Sequence, residues 1–286
     1  MTQAILGEIE LASLNRAKRK PTQNMSSYEF LLRGKEGHHA IDREANAHAL
    51  EMFDKAIEAD PGNAQAYAWK ACTMGQALGR GWIEKSLEEV MPEFNKLMDH
   101  ALRADPNDFE LHRLLCGIST LTGKFKAAVE HGKKAYDMVP NDPRILQQYG
   151  EILLKTGKTK QGCDLTLLAL EYDPVAQGQT NSDKRKSDAV FGCLMDDRVE
   201  LGLELAEEIE ACSENILLFA AALSVAKHGS LEPCPWLIKD LKTCNFEGLE
   251  AAIEEMGRYD VVVQSTLREV FLDHVAKLQP KLQLVS

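Results

Sequence analysis

The sequence has few aromatic residues, fewer basic than acidic side chains, and no long apolar run. Aromatic residues make up 6% of the 286 positions, and 33 lysines and arginines stand against 44 aspartates and glutamates, for a net charge of −11. The longest apolar stretch lies between Glu214 and Lys227, which is shorter than the roughly 20 residues of a membrane-spanning helix. Nucleic-acid-binding proteins are usually basic. We therefore expect neither a membrane nor a nucleic acid as a partner.

The cysteines do not form a pattern that indicates disulfides or a metal site. There are seven of them, spread along the chain, and none forms a Cys-x-x-Cys motif. A disulfide framework or a zinc site would require paired spacings. The first residues also lack the basic start and apolar run of a secretory signal. The sequence therefore predicts a cytoplasmic protein with reduced thiols.

A short pattern recurs four times in the first 174 residues. Each copy places Ala five residues before Pro, and the copies end at Pro61, Pro106, Pro140 and Pro174. The successive proline spacings are 45, 34 and 34 residues. A period of 34 is typical of paired helices that stack as repeats, and the spacing of 45 is one period with an insertion of 11 residues.

These residues resemble the tetratricopeptide repeat (TPR) family. In the first repeat, Phe53 supplies the aromatic residue of the second helix. The resemblance implies an all-α fold, an α–α superhelix whose C-terminal repeats are degenerate. It divides the chain into an N-terminal helix and linker (residues 1–27), four helical hairpins (28–174) and degenerate or capping helices (175–286). In the third and fourth repeats the packing positions fall on Leu115, Cys116, Gly123, Ala128, Gly132 and Ala135, and on Tyr149, Gly150, Gly157, Gly162, Thr166 and Ala169.

Helix bounds follow from caps, prolines and apolar spacing. Gly123 and Gly157 are expected to end the first helices of their hairpins in the left-handed conformation. Ser86 begins a capping box, and Pro92 either kinks the helix that follows or marks its first turn. The predicted helices cover residues 5–20, 44–59, 64–78, 109–121, 125–138, 143–155, 159–172, 188–195, 198–212, 214–228, 235–243, 246–256 and 261–277, and another begins at Tyr28.

No set of residues indicates catalysis, a cofactor or a metal. The chain has no Gly-x-Ser-x-Gly motif and no glycine-rich phosphate loop after a strand. His38, His39 and His48 lie near acidic residues, but no two of them have the spacing that brings ligands together on a helix. We expect these histidines to be solvated, and residues 184–186 to form a basic loop. The chain is predicted not to be an enzyme.

The resemblance implies a binding groove, because the first helix of each TPR hairpin lines the concave face of the superhelix. Arg113 and Arg144 could hold a carboxylate of a partner. Trp69 and Trp82 would be anchors if exposed, and packing between helices is the alternative for both. Counting from the helix starts also places Gln65, Cys72, Glu110 and Gly117 on these faces. The residues chosen as groove candidates are Trp69, Trp82, Arg113, Arg144, Gln147, Gln148 and Glu151.

The sequence favours a non-catalytic scaffold that binds a peptide or helix of a partner protein, and two alternatives remain. Residues 19–24, Tyr28 and residues 31–34 are similar to the joint that precedes TPR arrays in bacterial class III adenylate cyclases and related transcriptional regulators. That resemblance implies a regulatory signalling module without the catalytic domain. The second alternative is a homodimer formed through an apolar C-terminal helix over residues 261–275.

Overall fold

The computed structural model describes residues 13–15, 17, 25–174, 183–209, 212–257 and 261–278. Within these ranges, all regular secondary structure is helical. None of the described helices combines the length and the apolar character that crossing a bilayer requires. In chain order they are α1 (Ser27–His39), α2 (Arg43–Ala59), α3 (Ala64–Gly79), α4 (Leu87–Ala104), α5 (Phe109–Leu121), α6 (Phe125–Met138), α7 (Pro143–Lys155), α8 (Thr159–Tyr172), α9 (Lys184–Met195), α10 (Val199–Glu207), α11 (Glu214–His228), α12 (Pro235–Leu241), α13 (Phe246–Met256) and α14 (Val261–Val270).

The third and fourth hairpins confirm the predicted helix bounds. α5, α6, α7 and α8 begin and end at the predicted residues. The turns between the paired helices pass through Gly123 at φ +70° and Gly157 at φ +80°, as a left-handed C-cap requires. Beyond each glycine the chain donates a hydrogen bond back to the helix that it has left, from Lys124 N–H to the Ser119 carbonyl at 2.8 Å in the first case. The 34-residue spacing therefore marks real helical hairpins.

Capping boxes begin α1 and α4. The Ser26 side chain accepts the Glu29 N–H, and the Glu29 carboxylate accepts the Ser26 N–H at 2.7 Å. Ser86 and Glu89 make the same reciprocal pair before α4, so the predicted start is confirmed. Each box satisfies two backbone donors that a helix start otherwise leaves without acceptors. Pro92 lies inside α4, beyond its first turn, so the proposal that it marks that turn is wrong.

The chain forms two compact units, one containing residues 1–145 and the other most of residues 146–286. In the first unit, α1 and α2 approach closely at Gly34, where a Cβ would lie 2.4 Å from the ring of Phe53. Phe53 is fully buried, as expected for the aromatic residue of a second helix. In the second unit, α7 and α8 cross at Gly150, where a Cβ would lie 3.0 Å from the carbonyl oxygen of Gly162.

The second unit contains a further hairpin that the sequence placed only in part. α9 contacts α8 and α10, but it begins at Lys184 rather than at Asp188. The prediction of a basic loop over residues 184–186 is therefore wrong. α10 ends at Glu207 instead of continuing to Cys212. The Ile209 N–H bonds to the Ala206 carbonyl, and this turn places Ile209 in the core.

The last helices differ from the prediction mainly at their ends. α11 and α13 have the predicted bounds, and α12 ends at Leu241 rather than at residue 243. The C-terminal helix was predicted as one element over residues 261–277. It continues from α14 as a π-helical turn (Phe271–Val275) and a 3₁₀ turn (Ala276–Leu278). The wider π turn lets both Phe271 and Val275 face the core, where each is at most 5% exposed.

Some predicted segments lie outside the described residues. These are most of the N-terminal helix over residues 5–20 and the segment 19–24 of the cyclase-like joint.

Candidate functional site

The first helices of successive hairpins lie side by side in the first unit. α3 contacts both α1 and α5, and all three are first helices of their hairpins. Polar and aromatic side chains from these helices, and from the start of α7, meet on one face. We call it the A face, and it consists of Lys35, His38, His39, Trp69, Glu110, Arg113 and Arg144.

Trp69 lies at the centre of the A face and is 3% exposed. The rings of His38 and His39 meet it edge-on, with centroids at 5.2 and 5.4 Å. The Lys35 ammonium and the Arg113 guanidinium lie 5.5 and 5.7 Å from its ring centroid, within the range of cation–π attraction. In the described part of the chain, the buried indole N–H has no hydrogen-bond partner. Trp69 is therefore a packing centre and does not protrude as an anchor.

Glu110 is the buried carboxylate of the A face. It is 2% exposed, and Arg113 donates to its two oxygens from Nε and Nη2 at 3.1 and 2.9 Å. The Nη2 of Arg144 lies 3.5 Å from Oε2 of the same carboxylate. Burial raises the pKa of Glu110, but the charges of Arg113 and Arg144 outweigh burial and hold that pKa well below its usual range. Glu110 is therefore ionised at neutral pH.

Arg144 divides its guanidinium between two carboxylates. Besides Glu110, it pairs with Asp142, to which Nε and Nη2 donate at 3.1 and 2.7 Å. Asp142 is 2% exposed. Burial raises the pKa of Asp142. The hydrogen bonds and the charge of Arg144 together lower it by more, so the net shift is downward. The Nη2 of Arg144 lies farther from the Glu110 carboxylate (3.5 Å) than from the Asp142 carboxylate (2.7 Å). The negative charge of Glu110 is therefore compensated mainly by Arg113.

The two histidines of the A face are neutral at neutral pH. His38 Nδ1 lies 2.9 Å from the hydroxyl of the buried Thr73. Burial lowers the pKa of His38 to about 3, and repulsion from His39, when it is protonated, and from Arg113 acts in the same direction. Burial lowers the pKa of His39 to about 4, assisted by Arg113 and Lys35. The expectation that these histidines are solvated is wrong, because both contact Trp69.

The second unit holds its own polar cluster on first helices α7 and α9. Gln147 donates to Asp188 at 2.5 Å, and Lys184 donates to the other oxygen of Asp188 at 2.5 Å. Arg185, 1% exposed, donates to Gln147 and to Asp173, the latter at 2.7 Å. With residues 184–186 helical, the buried Arg185 and Lys184 are both paired with carboxylates, which offsets the cost of burying their charges.

The structure brings three of the predicted groove residues together, and the others make contacts of their own. Arg113, Arg144 and Trp69 meet on the A face. Trp82 lies in the loop between α3 and α4, where the Arg80 guanidinium is 5.5 Å from its ring centroid. Gln147 is buried, and its amide donates to Asp188. Gln148 follows it in the chain, on α7 of the second unit. Glu151 pairs with Lys155 at 2.8 Å.

Lys35, His38, His39 and Asp142 were not among the predicted groove residues. The A face holds the lysine and both histidines, and Asp142 pairs with its Arg144. These residues are distant in the chain from Trp69 and Glu110, and no motif in the sequence links them. Position on a first helix was the only available indication for the residues of α1. Among the described residues, no group of three or more metal-binding side chains converges.

Comparisons with known proteins show similarity in structure and not in sequence. No family model matches the chain, and no curated protein matches it. The Pseudomonas aeruginosa PilF structure has a TM-score of 0.55 at 14% identity, over 78% of this chain and 97% of that chain. PilW, described as a widely conserved type IV pilus biogenesis factor, has a TM-score of 0.53 at 12% identity, over 84% of this chain and 98% of its own.

A third structure, the Cut9–Hcn1 hetero-tetramer of the APC/C, has a TM-score of 0.58 at 13% identity over 92% of this chain. The chain spans 46% of the length of the chain that it matches there. Likeness at such low identity establishes the fold alone. Together with the hairpins spaced by 34 residues, it shows that this all-α chain has the TPR-like fold of the α–α superhelix class.

Proposed function

We propose that the chain is a non-catalytic protein-interaction scaffold that binds a peptide or helix of a partner protein along the A face. The observation that carries the proposal is the convergence of charged and aromatic side chains from four successive first helices on one face. A folding core alone does not require such a set, because buried charges stabilise a fold little relative to apolar residues of similar volume.

The A face is suited to a partner because it is rigid. Trp69 and Glu110 are almost fully buried, and their neighbours are fixed by ring contacts and bidentate hydrogen bonds. A surface that is already ordered loses little side-chain entropy when a partner binds. Of the two arginines of the A face, Arg144 is the more exposed to solvent: 37% of its side chain is exposed, against 13% for Arg113. We expect Arg144 to contact the partner.

Affinity capture with matched variants tests this proposal. The bait is the full chain, as wild type, as Arg144→Ala, and as Lys133→Ala, which removes a positive charge from an exposed position of α6 outside the A face. We expect specific proteins to be lost with Arg144→Ala and retained with Lys133→Ala, while circular dichroism shows that all three baits are folded. Equal capture by both variants would contradict binding at the A face.

Other parts of the sequence hypothesis stay predictions. These are groove roles for Trp82, Gln147, Gln148 and Glu151, the division at residues 27 and 174, a cytoplasmic location, and the homodimer. The regulatory module related to adenylate cyclases also stays a prediction, because it rests on the sequence between Arg19 and Gly34 and part of that segment lies outside the described residues.

A further inference from the structure

Two cysteines that the proposed function does not use meet between α8 and α9. Cys163 lies in the first half of α8 and Cys193 in the last turn of α9, and both are free thiols with no exposed surface. The Cys163 thiol donates a hydrogen bond to the sulfur of Cys193. The two cysteines are 30 positions apart and belong to no Cys-x-x-Cys motif, so their spacing does not indicate that they meet.

The backbones of α8 and α9 approach closely at this point. A Cβ at Gly192 would lie 3.1 Å from the Cα of Cys163 and 3.5 Å from its Cβ. On the other side, a Cβ at Gly202 of α10 would lie 3.0 Å from the Cβ of Cys193. A disulfide requires Cα atoms about 4.4–6.8 Å apart, and helices that cross with a glycine at the contact come near enough for their side chains to be joined.

The hydrogen bond makes the two thiols chemically different. It lowers the pKa of Cys193, whose thiolate it stabilises, and it raises the pKa of Cys163, which keeps the shared proton. Burial opposes the thiolate at both sulfurs, while the positive charge of Arg198 favours it. The thiolate is the nucleophile in disulfide chemistry, so Cys193 is the sulfur that reacts first.

A small oxidant can reach Cys193 from the end of α9. The turn over residues 196–198 follows α9 directly, and Asp197 in it is exposed. The side chain of Arg198 is 31% exposed, and the Arg198 N–H donates to the Cys193 carbonyl at 2.9 Å. Helix ends open more readily than buried helix centres. Opening this last turn therefore gives access to the sulfur without separating the rest of α8 and α9.

We propose that Cys163 and Cys193 form a redox modification site, where hydrogen peroxide converts the two thiols into a disulfide that joins α8 to α9. The Cys193 thiolate attacks one peroxide oxygen and becomes a sulfenic acid, while hydroxide leaves. The Cys163 sulfur then attacks the Cys193 sulfur, and the sulfenic hydroxyl leaves as water with the Cys163 proton. The thiols lose two electrons and two protons, and the peroxide becomes two water molecules.

The disulfide would link the last regular hairpin to the one that follows it. α8 is the second helix of the fourth hairpin, and α9 is the first helix of the next. The bond closes a loop over residues 164–192, and closing such a loop lowers the entropy of the unfolded chain. The oxidised protein should therefore unfold at a higher temperature than the reduced protein. This site is independent of the A face and of the partner that we propose for it.

Peptide mapping of the full chain after treatment with excess hydrogen peroxide tests the proposal. The remaining thiols are alkylated in urea and counted by mass spectrometry. We expect two of the seven thiols to be lost and one cross-linked peptide to contain Cys163 and Cys193. This pairing should form at least a tenfold larger share of the cross-links than in a chain oxidised while unfolded. The thermal midpoint should rise by several degrees and return after treatment with dithiothreitol.

Cys163→Ala and Cys193→Ala should each abolish the cross-link and the rise in midpoint. Cys116→Ala changes another buried cysteine and is the matched control, which should retain both effects. Circular dichroism shows whether each variant is folded, and the map of the wild type decides the question if one is not. Retention of all seven thiols, a sulfinic acid on Cys193 without a cross-link, or pairing with other cysteines would overturn the inference.

Discussion

At the scale of single residues, burial decides the charge state of the A face. His38 and His39 lose their protons because both are packed against Trp69 and near Arg113. Glu110 keeps its charge in the same environment because two guanidinium groups hold it. The sequence predicted that Arg113 and Arg144 could hold a carboxylate of a partner. It gave no indication that Glu110, within the chain, pairs with both arginines, since burial depends on helices that are distant in the chain.

The neutral histidines make stability depend on pH. The pKa values of His38 and His39 are lowered from 6.5 to about 3 and about 4. Between these values and 6.5, the histidines are protonated in the unfolded chain and neutral in the folded chain. Their contribution is complete above pH 6.5 and is lost as the pH falls toward the folded values. We expect the free energy of unfolding to fall by about 1 kcal/mol per histidine between neutral pH and a pH one unit below the unfolded pKa.

Urea unfolding followed by circular dichroism at several pH values measures this effect. His39→Gln should flatten the decrease, and His48→Gln, which changes an exposed histidine of α2, is the matched control. Glu110 and Asp142 cannot mimic the result. Their pKa values are lowered from 4.5 and 3.8, so their contribution is lost only at more acidic pH. A free energy that is constant down to pH 5 would contradict the assignment.

At the scale of helices, local sequence signals worked where the repeat is regular. The bounds of α5 to α8 could be predicted because caps, glycine turns and closing prolines act within a few residues. The hairpin formed by α9 and α10 was placed less well, since residues 175–182 interrupt the period before it. The start of α9 depends on Arg185, which bonds to Asp173 across that interruption. Such pairing is tertiary and leaves no periodic signal.

The crossing of α1 and α2 gives a prediction at this scale. Gly34→Ala places a Cβ 2.4 Å from the fully buried ring of Phe53, so the ring or the helices must move. We expect a loss of about 1–3 kcal/mol in the free energy of unfolding, the usual cost of overpacking a core. The measurement is urea unfolding of the two proteins at the same pH.

Gly75→Ala is the matched control. Gly75 lies within α3, and nothing approaches its Cβ position within 4 Å. Alanine there should stabilise the protein by about 0.5–1 kcal/mol through helix propensity. Equal effects of the two substitutions would show that Gly34 is not needed for close approach of the helices.

At the scale of the whole molecule, the repeat pattern predicted the fold, and the partner could not be predicted in the same way. Solved structures that share only 12–14% identity have a similar fold. In this chain the hairpins coincide with a fixed period and with small residues at helix crossings, such as Gly34 and Gly150. Residues on the A face are not constrained by that period. The helix register places Trp69 and Arg113 on one face, but the period does not specify which side chains stand there.

The most apolar helix of the second unit, α11, gives the last prediction. All residues from Ile216 to Ser224 are buried, and α11 contacts α9, α10, α12, α13 and α14. A helix that is apolar all round is buried on every side, so exposing its amides requires the neighbouring helices to separate. α13 has Glu250, Glu254 and Glu255 exposed, so we expect its amides to open more readily than those of α11. Within residues 146–286, amide hydrogen exchange should therefore be slowest at residues 216–224. After correction for intrinsic rates, exchange there should be slower than at residues 250–256 by about 100-fold or more.

If the two segments exchanged at equal rates, α11 would not be the centre of the second unit's core. The apolar stretch that is too short for a membrane would then need another explanation than burial among these helices.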